Sequence, residues 1–155
     1  MFSFFKDKGP KDNVVSVAFY NLDNLFDIFD DPDTFDDDYT PTGDKKWTYK
    51  RYKVKLKKIG QVISKIGVEY APTPPVLIGL AELENETVID DLIKSKHLKE
   101  FCYDYVHYDS PDERGIDVGL LFIKKHFELL DSKIYPLVLF EEDGKRDYTR
   151  DILLV

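Results

Sequence analysis

The run VLIGLAELEN, Val76 to Asn85, is apolar until two glutamates and an asparagine close it. A carboxylate at the end of a buried strand has two uses. It can cap the helix that follows, or it can serve as a partly desolvated ligand for a hard cation on a rigid support. Glu82 ends the apolar run directly and is the better ligand of the pair, while Glu84 and Asn85 stand where the next helix begins. Asn21 closes an earlier β-branched and aromatic run, VVSVAFYN, in the same way. Functional groups collect at the carboxyl ends of strands in an α/β sheet, because loops converge there without disturbing the core.

A second polar concentration is YDSPDERGIDVGLLF, Tyr108 to Phe122, in which Asp117 interrupts an apolar strand pattern and Arg114 precedes a glycine. Arg114 either pairs with a neighbouring acid in water or offers its planar fork to a phosphate oxygen. Arg150, which opens the last apolar run, poses the same alternative. His97, His107 and His126 are scattered without the paired spacing of a zinc site and are read as structural or surface residues. Eight aspartates fall between Asp27 and Asp44 with two prolines and a glycine. That stretch lacks the EF-hand spacing and is expected to be a solvated loop that does not pack.

The elements that must position these groups follow from periodicity. Strands are expected over 14–21, 76–81, 103–108 and 116–123, with two more over 133–140 and 149–155. Thr48 can cap a helix whose apolar positions Tyr52, Leu56, Ile59, Ile63 and Ile66 share one face, with lysines outward and Gly67 at its end. A shorter helix over 86–94 takes Asn85 as its cap and turns Val88, Ile89 and Leu92 inward. Strand, helix and strand in this order make a crossover unit and an α/β fold.

The 155 residues suffice for one domain, with residues 1–13 a polar leader, and 43% hydrophobic residues suffice for a core. The formal charge of −8 argues against tight sequence-independent polyanion binding by the average surface. A single cysteine, Cys102, forms no internal disulfide, and no segment has the apolar length of a membrane span. The polar start does not read as a secretion signal, so the expected location is cytoplasmic.

Together FYNLDNLFD, GLAELEN, YDSPDERGIDVGLLF and TRDIL resemble the endonuclease/exonuclease/phosphatase family, the fold of DNase I, closest to its bacterial members. The resemblance runs from about residue 14 to the last residue. It implies two packed mixed sheets flanked by helices, and metal-dependent hydrolysis of a phosphoester, most of all nuclease action on phosphodiesters with magnesium, for which manganese could substitute. It implies that Glu82 and Asn21 form the metal-binding catalytic pair and that Arg114, Arg150 and Asp117 stand near a nucleic-acid or other phosphoester substrate. The family's G-D-x-N stretch and terminal histidine motif do not occur in these residues. The resemblance therefore implies the amino-terminal part of such a domain, inactive alone and prone to self-association or to pairing with its missing half. The alternatives are a non-catalytic binding module on the same scaffold, a phosphomonoesterase or phospholipid phosphodiesterase, and an unrelated α/β domain in which the strand-end carboxylate only caps a helix.

Overall fold

The computed structural model describes residues 13–155, so the leader, Asn13 apart, lies outside the described residues. A four-stranded mixed sheet carries the fold, in the order β1 (Val17–Leu25), β2 (Leu77–Leu83), β4 (Asp117–Ile123), β3 (Tyr103–His107). β1 and β2 are parallel and joined by helix α1 (Tyr49–Ile63), which is the expected crossover; β4 runs antiparallel to both of its neighbours. Helix α2 (Glu86–Ile93) follows β2.

Both helices form because their apolar residues recur at helical spacing and have a sheet face to cover. Tyr52, Leu56, Ile59 and Ile63 of α1 are buried, as are Val88, Ile89 and Leu92 of α2. They meet Leu22, Ile78, Leu80 and Leu121 from the sheet. Burial of a side chain of this size contributes about 1.5–3 kcal/mol, which outweighs the weak intrinsic propensity of a short helix. Asn85 caps α2 as its sequence predicts, its side chain accepting the Val88 N–H at 3.1 Å. Thr48 stands at the start of α1 but makes no side-chain cap bond.

The opposite sheet face is open near β1, where Val17 and Phe19 are 64% and 73% exposed. Phe19 lies over Gly79, at which a Cβ would sit 2.6 Å from its ring, so a larger residue there would push the exposed ring aside. Beyond β4 the expected strands break into short pieces. β5 (Lys133–Tyr135) pairs with β8 (Ile152–Leu154), and β6 (Leu139–Phe140) with β7 (Arg146–Asp147). Most of their side chains are exposed, so packing does little to extend them.

Most of the acidic stretch is exposed, as expected, but Ile28 and Tyr39 pack against the core. Phe26 stacks on Tyr39 with ring centres 4.3 Å apart, Tyr39 meets Trp47 edge-on at 6.0 Å, and the Trp47 indole N–H donates to the Phe26 carbonyl at 3.0 Å. Asp36 is 1% exposed and accepts the Asp31 N–H, so part of the acid count serves to tie turns rather than to meet water. Three aromatic anchors outweigh eight acids because each buries a large apolar area.

Candidate active site

β1 and β2 keep strict parallel register up to Asn21 beside Ala81, then slip, so that Leu25 pairs with Leu83. The slack is taken by three non-glycine residues in left-handed backbone conformation, Asp23 (φ 56°), Asn24 (φ 61°) and Glu82 (φ 63°). That region costs an ordinary L-residue about 1–2 kcal/mol, less for Asp and Asn, and is held only where the surroundings enforce it. Glu82 therefore does not end its strand, contrary to the sequence expectation. It sits inside a bulge, with β2 continuing through Leu83, and the bulge re-aims its side chain.

Glu82 Oε2 accepts the Asn24 N–H at 3.2 Å, and Asn21 Oδ1 accepts the Asp23 N–H at 2.7 Å. Two consecutive amides of one turn thus hold the two side chains singled out from the sequence. From the other side, Arg150 Nη1 stands 3.9 Å from Glu82 Oε1, while its Nε is 3.7 Å from Asp112 Oδ2. The Asp112 side chain is only 5% exposed, and its second oxygen is 3.6 Å from Arg114 Nε. Glu82, Arg150, Asp112 and Arg114 therefore form one chain of alternating charge, drawn from three distant segments.

Lys55 and Tyr39 complete the rim. The Lys55 ammonium donates to the carbonyls of Asp23 and, at 3.0 Å, Asn24. Burial lowers its pKa, and the carboxylates of Asp23 and Glu82 oppose that shift. Burial raises the Tyr39 hydroxyl, Asp23, Asp38 and Glu82 raise it further, and Arg114 pulls it back. Asp23 and Glu82 act on both groups, and Arg114 on Tyr39.

Glu84 does not open the helix as expected. It accepts the Asp27 N–H at 2.5 Å, and burial, reinforced by the charges of Asp27, Asp36 and Asp31, pushes its carboxyl up to about 8. Asp117 also departs from its expected place at the substrate. It is 3% exposed, one oxygen accepts from the Ser110 N–H and hydroxyl, and the other lies 3.2 Å from His107 Nε2. These bonds make it an internal brace of the SPDE turn. His107, expected to be isolated, is instead gathered with Asp109 and Asp117, with one ligand-type atom from each within 4.8 Å of the others.

Sequence reasoning passed over Asp23, Tyr39, Lys55 and Asp112. Asp23 had a signal: it stands two residues from Asn21, on the same strand face. Asp112 and Tyr39 reach the site through long-range packing and had none.

A model of the Endonuclease/Exonuclease/phosphatase family matches residues 16–155. The chain belongs to this family. No curated protein and no solved structure matches it. Membership brings the coarse functional class, hydrolysis of phosphoester bonds, together with the mixed α/β sheet flanked by helices. The carboxylates at this turn are oxygen donors of the type a hard divalent cation takes. Glu82 offers a carboxylate that is 20% exposed, and Asp23 an exposed one across the same turn. Asp151, 8% exposed and adjacent to Arg150, leaves Oδ1 without a hydrogen-bond partner among the described residues. No helix among the described residues is long and apolar enough to cross a membrane.

Proposed function

We propose that this protein is a metal-dependent phosphoesterase that acts on phosphodiester bonds, a nuclease using magnesium, with manganese able to replace it. The observation that carries this reading is the convergence of Glu82 with Arg150 and Arg114 at the slipped ends of β1 and β2. Glu82 is the metal ligand, and Asn21 and Asp23 flank it on the turn it caps. The cation, when bound, polarises a phosphoryl oxygen and offsets charge on the leaving oxygen.

The protein's own groups supply the rest. Arg150 and Arg114 present guanidinium groups to the remaining non-bridging phosphoryl oxygen, where charge-assisted hydrogen bonds are strongest. Asp112, buried between them, fixes their orientation. Because its Oδ1 is taken by the Asp23 amide, Asn21 meets a substrate oxygen with its Nδ2 donor.

The test is a manganese titration followed by paramagnetic broadening of backbone amide signals. Broadening centred on residues 21–24 and 82, and lost in Glu82→Gln, is the expected result. Broadening centred on His107, Asp109 and Asp117 and indifferent to Glu82→Gln would move the metal site there and end the present assignment.

A further inference from the structure

The net charge of −8 conceals a strongly divided molecule. From Lys45 to Val68 there are nine lysines and arginines and no acid, and helix α1 displays most of them on its outer face. Lys50, Arg51, Lys57 and Lys58 are exposed, and among the described residues only Lys53 of the helix pairs with a carboxylate, Asp91. The cations are also arranged. A groove of about 600 Å³ runs along α1, lined by Asp23, Trp47, Lys50, Arg51, Lys55 and Lys58. Its Asp23 end is the turn held by Glu82 and Asn21. In its floor, the buried Trp47 ring carries Arg51 and Lys55, each 5.6 Å from the ring centre, which limits their rotamer freedom.

We propose that this groove is the track for a nucleic-acid backbone, binding the phosphates that flank the one being cleaved. The inference rests on the phosphoesterase reading for its destination but not for the binding itself. Three features favour a chain of phosphates. A small phosphomonoester would need only the arginines at the site and leaves the row of cations without a ligand. The rise of about 1.5 Å per residue spreads Lys50 to Lys58 over roughly 12 Å, the reach of several phosphates rather than one. A membrane surface would need an apolar stripe to insert beside the basic one, whereas Val54 is the only aliphatic residue in this groove.

The experiment measures binding of a fluorescent 20-residue single-stranded oligodeoxynucleotide to the full chain in EDTA, over a range of salt. Wild type is compared with Lys50→Ala/Arg51→Ala/Lys58→Ala and with Lys65→Ala/Lys94→Ala/Lys99→Ala, which removes the same charge elsewhere. The groove variant should bind at least about 10-fold more weakly at low salt and lose about 2 from the slope of log K against log salt, at about 0.7 per phosphate contact. The control should change less than about 2-fold. All six side chains are exposed; should the triple variant melt early, Lys58→Ala alone carries the test with one-third of the slope change. Equal losses in the two variants, no binding by wild type, or groove-dependent binding to phosphatidylserine vesicles without oligonucleotide binding would each overturn the proposal. Glu82→Gln separates the two readings. It should retain oligonucleotide binding while losing manganese, so groove-dependent oligonucleotide binding alongside manganese broadening that Glu82→Gln leaves unchanged strikes only the phosphoesterase assignment.

Discussion

Replacing Glu84 by glutamine should stabilise the protein, and by an amount that grows with pH. Burial and the nearby charges of Asp27, Asp36 and Asp31 push this carboxyl from its ordinary 4.5 up to about 8, against the opposing Asp27 amide bond. Between those values the folded state holds a proton that the unfolded chain releases, so stability falls as pH rises through the window and levels off above it. At pH 7 the difference from the ordinary value is 7 − 4.5 = 2.5 units, or about 3 kcal/mol at about 1.4 kcal/mol per unit. Glutamine keeps the acceptor for the Asp27 N–H and carries no charge to bury. Urea unfolding in EDTA at pH 5, 7 and 9 measures the effect. The advantage of Glu84→Gln over wild type should be below about 1 kcal/mol at pH 5, about 3 at pH 7, and larger at pH 9. Parallel pH profiles for the two proteins would show that Glu84 is ionised in the fold, and the account of it as a neutral acid beneath the acidic loop would fail.

Other perturbations test the remaining elements. Trp47→Ala removes the indole bond to Phe26 and the edge contact with Tyr39, and should cost about 3–5 kcal/mol by denaturant unfolding while raising amide exchange through residues 26–40. Cys102→Gly should gain up to about 1 kcal/mol in the same assay, because Cys102 is exposed and held at φ 54°. Asn85→Ala should lose about 1 kcal/mol with the α2 cap. The open sheet face around Val17 and Phe19 should drive concentration-dependent association in sedimentation velocity, weakened by Phe19→Asp.

The legible part of this fold is the part in which hydrophobic spacing and packing agree. β1 to β4, α1 and α2 were all expected within a few residues, because each has a periodic apolar set and a sheet or helix face to bury it against. The acidic stretch misled in part because composition counts eight aspartates equally, whereas the structure uses Phe26, Tyr39 and Trp47 as anchors and Asp36 as an internal acceptor. The last strands misled for the opposite reason. Their apolar residues are real but lie largely exposed, so the pairing shrinks to two or three residues at a time. At the site, Glu82 and Asn21 stood out as polar residues closing apolar runs, although both strands continue past them, and Arg150 as a charge opening an apolar run. Asp112 was hidden inside a motif that reads as an ordinary turn.

What no spacing rule could supply is the geometry that joins Asn21 to Glu82. In two regular parallel strands with Asn21 beside Ala81, residue 82 points to the face opposite residue 21, because side chains alternate along a strand. An unbulged sheet would leave the carboxylate on the helix side and the amide on the other, and a single ion could not lie near both. The left-handed residues in both strands remove that obstacle, with Asp23 and Asn24 turning their N–H groups toward the two side chains while Glu82 rotates to meet them. The strain is thus the means by which the site exists. Its consequence is a specific trade: Glu82→Gly should relax the backbone and raise unfolding stability by up to about 1 kcal/mol while abolishing manganese broadening at residues 21–24. A variant that lost stability and kept the metal signal would show that the bulge serves packing, with the carboxylate a bystander.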